Sequence, residues 1–123
     1  MNVSEVLKDR AESSPNQSAI IDTERGRPRT LTFGELERAA AKTAALLRQN
    51  GLRPGDGVLI FHPMSAELYI ALMAIFRLGL VAMFLDPTVG REHIKRSCAL
   101  YPPRALIASS KAHLLRLDRK SVV

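Results

Sequence analysis

Three histidines, one cysteine and one Gly-Asp-Gly turn are the groups in this 123-residue chain that could ligate a metal, attack a carbonyl or hold a phosphate. His62, His93 and His113 lie about twenty to thirty residues apart with no Cys or carboxylate at ligand spacing, so no zinc signature can be drawn. Cys98 is alone, which excludes an internal disulfide framework and fits a small buried apolar residue. Gly55-Asp56-Gly57 precedes an apolar run, whereas a nucleotide fingerprint follows a strand and opens a helix. His62 sits at the carboxyl end of an apolar run, where α/β proteins place ligands, but a structural turn residue accounts for a lone histidine better. There is no Gly-x-Ser-x-Gly elbow, no Walker A loop and no Ser, His and Asp set placed by context. No catalytic, cofactor-binding or metal-binding residue is therefore assigned.

The elements that would position such groups centre on Pro54 to Pro87. Gly57 to Phe61 is a short apolar run, Ser65 to Leu78 has helical character closed by Gly79, and Leu80 to Leu85 is a second apolar run stopped by Asp86-Pro87. Parallel strands need a long return path, and this sequence supplies one. Ser65 is a candidate N-cap, and Glu67 in the first turn favours the helix dipole. Upstream, Val3 to Glu12 places Val3, Val6, Leu7 and Ala11 on a helical period, ended by Ser13-Ser14-Pro15-Asn16. Ala19 to Asp22 and Thr30 to Thr32 flank the polar tip Glu24 to Pro28 of an expected hairpin. Thr32 and Glu35 have capping-box spacing. Leu36, Ala39, Ala40, Thr43, Leu46 and Leu47 then form one helical face, opposite Glu37, Arg38, Lys42 and Arg48, until Asn50-Gly51 stops the helix. Downstream, Gly90 to Ala99 is helix-like with Ile94, Cys98 and Ala99 inward, and Tyr101-Pro102-Pro103 breaks it. Ala105 to Ala108 is a buried strand, and Ser109-Ser110 would cap a last helix through Ala112, Leu114, Leu115 and Leu117. This alternation predicts an open, largely parallel α/β sheet with βαβ crossovers and an N-terminal hairpin.

The length suits one domain, and an aliphatic core is expected because Trp is absent and aromatics are few. The formal charge of +6 is scattered, without basic and aromatic residues interleaved, so no nucleic-acid partner is expected. No secretory signal opens the chain, and a reducing, cytoplasmic setting is the default. Leu68 to Leu85, about eighteen residues with Arg77 as the only charge, competes as a membrane span. A charge at its middle costs roughly 3 kcal/mol, and Gly79 followed by strand-like residues favours the crossover, so no transmembrane span is expected.

Several strings resemble the adenylate-forming, or AMP-binding, superfamily. Leu31-Thr32-Phe33-Gly34-Glu35-Leu36 is similar to its first core motif, Leu-Thr/Ser-Tyr-x-Glu-Leu. Arg77-Leu78-Gly79-Leu80-Val81-Ala82-Met83-Phe84-Leu85-Asp86-Pro87 resembles the second, Lys-x-Gly-x-x-x-Val-Pro-Leu-Asp-Pro. Gly51-Leu52-Arg53-Pro54-Gly55-Asp56 matches the family's turn between them. The resemblance spans about Ser13 to Leu117, with Phe33 in place of Tyr and Phe84 in place of Pro. It implies part of the N-terminal domain of an acyl-CoA synthetase-like enzyme of fatty acid metabolism, or of a related β-lactone-forming synthetase. Such a parent would activate a small carboxylic acid with ATP and Mg to an acyl-adenylate, usually passing it to CoA. The family's phosphate loop, ribose-binding Asp and catalytic Lys would lie beyond residue 123. No cofactor is therefore expected in this portion, whose partner would be the rest of its own N-terminal domain.

Asp118-Arg119-Lys120-Ser121-Val122-Val123 can be back-translated to GATCGGAAGAGCGTCGTG, part of a common sequencing adapter whose next codon is a stop. The expectation is that residues 1–117 belong to a partial N-terminal domain and residues 118–123 are a non-native tail. Without them 16 basic residues face 11 acidic ones, so a basic excess of +5 remains. The alternatives are a genuine short protein, a non-enzymatic α/β interaction module or, through Leu68 to Leu85, a membrane protein.

Overall fold

The computed structural model describes residues 2–61, 65–84, 90–108 and 113–116. Helix α1 (Val3–Ser13) starts on Asn2, whose side chain accepts the Ser4 amide at 2.9 Å and donates to the Phe76 carbonyl at 2.7 Å. Of its expected inward stripe only Leu7 is buried, while Val3 and Val6 stay 44% and 43% exposed. The helix rests on two other helices rather than on a sheet, so only the centre of its stripe is covered.

Strands β1 (Ser18–Glu24) and β2 (Arg27–Thr32) form the antiparallel hairpin. Glu24 pairs with Arg27, so the tip is just Arg25-Gly26, with φ of +52° and +76°. Two consecutive left-handed residues give the turn whose twist matches that of the flanking strands. β2 passes directly into α2 (Phe33–Gln49), which opens with the expected capping box: the Glu35 amide donates to Thr32 Oγ1 at 3.1 Å, and the Thr32 amide to Glu35 Oε1 at 3.0 Å. The helix buries Gly34, Leu36, Ala40, Ala44 and Leu47. Leu46, expected inward, is 49% exposed because the stripe follows Leu36, Ala40, Ala44 and Leu47, and Leu46 falls well to one side of it. Glu37, expected outward, falls on the flank beside Ala44 and pairs with Arg77.

The crossover is as the sequence predicts. β3 (Gly57–Phe61) and β4 (Val81–Phe84) are parallel and joined by α3 (Ala66–Arg77), with Ser65 as N-cap. Gly79, at φ +70°, turns the chain back toward the sheet, so no continuous span from Leu68 to Leu85 forms. Among the described residues no helix is long and apolar enough to cross a membrane. After α4 (Arg91–Leu100), β5 (Pro103–Ala108) pairs with β3 in parallel. On α4 Cys98 is buried, whereas Ala99, expected inward, is exposed.

Of the final expected helix, Ser109, Ser110, Ala112 and Leu117 lie outside the described residues, and Leu114 and Leu115 fall in a strand instead. His113–Arg116 forms strand β6, antiparallel to β5, giving the sheet order β4-β3-β5-β6. The edge of β5 satisfies the backbone groups of these residues through antiparallel pairing. Val58, Ile60, Ala105 and Ile107 line one face of the sheet and pack with Ala44 and Leu47 of α2 and Leu68, Ala71, Ala74 and Ile75 of α3. The crossover through α4 runs back across β3, and right-handedness places α4 on the opposite face. There Gly57 is required by close approach, since a Cβ would stand 2.7 Å from Met83 Sδ and 3.0 Å from the Tyr101 ring.

Candidate functional site

The sheet sets where chemistry could occur, because open α/β sheets present ligands at the carboxyl ends of their strands. Here β3, β4 and β5 run into residues 62–64, 85–89 and 109–112, which lie outside the described residues together with His62 and the Leu85-Asp86-Pro87 end of the second motif. The other sequence candidates do not meet. His93 is exposed on α4, and His113 falls in β6. Cys98 is buried, and burial pushes its thiol upward, away from the thiolate a nucleophile needs. Among the described residues no group of three or more His, Cys, Asp or Glu could hold a metal ion.

The Gly55-Asp56 turn is structural, as its position before β3 implies. The Gly55 amide donates to the Gly79 carbonyl at 2.9 Å, and the Asp56 amide to the Arg53 carbonyl at 3.0 Å. The Asp56 carboxylate in turn accepts the Arg53 amide at 2.8 Å, and its carbonyl accepts the Val81 amide at 2.8 Å. Two donors that a phosphate would need are already spent, the Gly55 amide on closing the βαβ unit and the Asp56 amide on closing its own turn. Asn2, Thr32 and Ser65 cap the starts of α1, α2 and α3, whereas α4 starts at Gly90 with no side-chain cap. The Gly55-Asp56 turn is thus not a phosphate cradle, since its amides are engaged within the chain.

What the fold does assemble is a charged junction. Arg29, in the middle of β2, pairs across the hairpin with Asp22, donating Nε to Oδ1 at 2.9 Å and Nη2 to Oδ2 at 2.6 Å. The same guanidinium reaches α3, where Nη1 and Nη2 donate to the Glu67 carboxylate at 2.7 and 2.9 Å, and Nη1 lies 3.3 Å from Glu24 Oε2. Asp22 Oδ2 also accepts the Ala66 amide at 2.9 Å, so it caps α3 from another element. The Arg29 hydrogen bonds, aided by the Ala66 amide, lower the Asp22 pKa to about 2, and Arg29 lowers that of Glu67 as well. Its hydrogen bonds to the Asp22 and Glu67 carboxylates hold the Arg29 proton more tightly than usual. Such forked, charge-assisted bonds fix orientation as well as contact. The sequence singled out neither partner of Arg29 as such: the hairpin register could have pointed to Asp22, whereas Glu67 carried no signal because it arrives from 38 residues away.

The comparisons with known proteins agree with this geometry. A family model described as AMP-binding enzyme matches residues 7–122. A putative fatty-acid–CoA ligase of Mycobacterium tuberculosis is 36% identical over 114 residues, covering 85% of the chain and 19% of that protein. Pseudomonine synthase PmsE of Pseudomonas entomophila is 32% identical over 116 residues, covering 94% and 18%. Among solved structures, the fatty acid AMP ligase from Legionella pneumophila has a TM-score of 0.77 at 24% identity, covering 87% of this chain and 19% of that one. The Klebsiella oxytoca NpsA N-terminal subdomain has a TM-score of 0.77 at 26% identity, covering 91% and 28%. The chain thus spans about a fifth of those two curated relatives, at 19% and 18% of their length.

Proposed function

Because the chain belongs to the AMP-binding enzyme family, we propose that it is N-terminal scaffold of a cytoplasmic AMP-forming acid–thiol ligase of the acyl-CoA synthetase type and is catalytically silent alone. The parent would activate a fatty or other small carboxylic acid with ATP and Mg to an acyl-adenylate and pass the acyl group to CoA. One observation carries the reading: correspondence over residues 7–122 accounts for nearly all of this chain but only 19% of the length of the mycobacterial ligase. The spent amides of the Gly55-Asp56 turn agree with a supporting rather than a triphosphate-gripping role. We propose further that residues 118–123 are a non-native tail on a partial domain of residues 1–117, a reading that the family match through residue 122 does not favour.

ATP–pyrophosphate exchange with acetate and laurate tests both parts. The 123-residue chain should give none, and the chain extended by what its source locus encodes after Leu117 should give acid-dependent exchange. Turnover by the 123-residue chain alone overturns the scaffold reading. A natural stop after Val123 at the locus rejects the tail.

A further inference from the structure

Ala66 opens α3 as a buried residue, and its amide donates at 2.9 Å to Asp22 Oδ2, which arrives from β1, 44 residues away. The same oxygen accepts Arg29 Nη2 at 2.6 Å, so one atom serves both the hairpin's cross-strand pair and the cap of another element. Glu67, the next residue of α3, holds the other side of the guanidinium. At its base the hairpin is tied without help from α3: the Phe33 amide donates to the Gln17 carbonyl and the Gly34 amide to the Pro15 carbonyl, each at 3.0 Å. Ala19, Ile20 and Leu31 are only partly buried where they meet Leu7, Leu36 and Ala40, so the apolar contact opposing release is small. The tip carries strain, because Arg25 stands at φ +52°, a region costly to a residue with a Cβ and better suited to Asn.

We propose that the hairpin is a strap that swings from α3 about its tied base, and that its release and the fraying of the first turn of α3 are one event. Lifting β1 away takes Asp22 from the Ala66 amide. A buried donor left without a partner costs about as much as a lost hydrogen bond, and that cost falls if the turn loosens and water reaches the amide. Fraying in turn moves Glu67 out of line with the Arg29 fork, so each opening favours the other. The rest of α3 stays in place, because Ala74 and Ile75 are sealed in the core against the sheet. All of these bonds are internal to the chain, so the device is independent of the ligase reading.

Amide hydrogen exchange in the 123-residue chain, read residue by residue by NMR, tests the coupling from the tip, away from the shared oxygen. A Cβ on Gly26 meets nothing within 4 Å, so Gly26→Ala acts through its φ of +76° alone. It should speed exchange in β1 and β2 about threefold or more and at Ala66 by the same factor, with Ala74 and Ile75 unchanged. Arg25→Asn should slow both by a common factor, since Asn before Gly is the preferred pair for this turn. In an Asp22→Ala chain Ala66 should exchange fast and ignore Gly26→Ala, because the shared oxygen is gone. A hairpin rate that shifts while Ala66 keeps its parent rate would overturn the proposal. So would equal acceleration throughout α3, which would make release inseparable from global unfolding, or a response of Ala66 that survives Asp22→Ala.

Discussion

Around β3, Val58, Ala74 and Ile75 are sealed from solvent at 0% exposure, with Ile60 at 2%, whereas the hairpin leaves Ile21 71% exposed and shares a small core of Leu7, Leu36 and Ala40. The hairpin's directed link to α3 is the fork from Arg29 to Asp22 and Glu67. The sheet is therefore held by removal of apolar surface from water, which is non-directional and tolerant of salt. The hairpin has a smaller apolar contact and adds a few charge-assisted bonds, whose strength lies in orientation and which water and salt weaken. The contrast shows how one chain can combine a rigid layer with an appendage whose attachment responds to conditions.

The largest expected effect lies on the apolar side. Ile75→Ala removes a fully buried side chain and should cost about 2–5 kcal/mol of unfolding free energy, read by urea denaturation with unchanged slope. A loss below about 1 kcal/mol would mean that this core is not the chief support of the fold. Arg29→Met should cost on the order of 1 kcal/mol globally, since its side chain is 25% exposed. It should nevertheless raise hydrogen exchange at the hairpin amides and at Ala66 far more than in β3. Equal protection changes in both regions would erase the distinction. High salt should reproduce that pattern weakly in the parent chain.

The smallest effect is one of pH. Asp22 is lowered from 3.8 to about 2 in the folded chain, so the unfolded chain binds the proton more readily. The stabilisation is complete above about pH 4 and declines as pH falls toward 2, with Glu67, also lowered, adding in the same direction. Asp22→Asn should flatten that acid limb of a melting-temperature profile. An unchanged limb would locate acid sensitivity elsewhere.

Much of the fold was legible because local chemistry repeats itself there. The capping box of Thr32 and Glu35, the Asn50-Gly51 stop and the two apolar runs around Ser65 to Leu78 each state their role within a few residues. The motif strings from Leu31 to Leu36 and from Arg77 to Phe84 fall on the capped start of α2 and the turn into β4. The charged junction went unread, because Arg29 fell between the expected hairpin tip and strand and its partners were not singled out. Periodicity also overstated α1, because it reports which residues share a side and not how wide the covering surface is.

Element type, capping and the parallel crossover followed from short-range patterns, since side-chain period, turn chemistry and the need for a return path act between near neighbours. The strand identity of His113–Arg116, the inward turn of Glu37 and the meeting of Glu67 with Arg29 depended on partners distant in the chain. A free strand edge or a facing charge changes the lowest-energy state of a segment only once the fold has brought it within hydrogen-bond reach. No local pattern encodes that encounter.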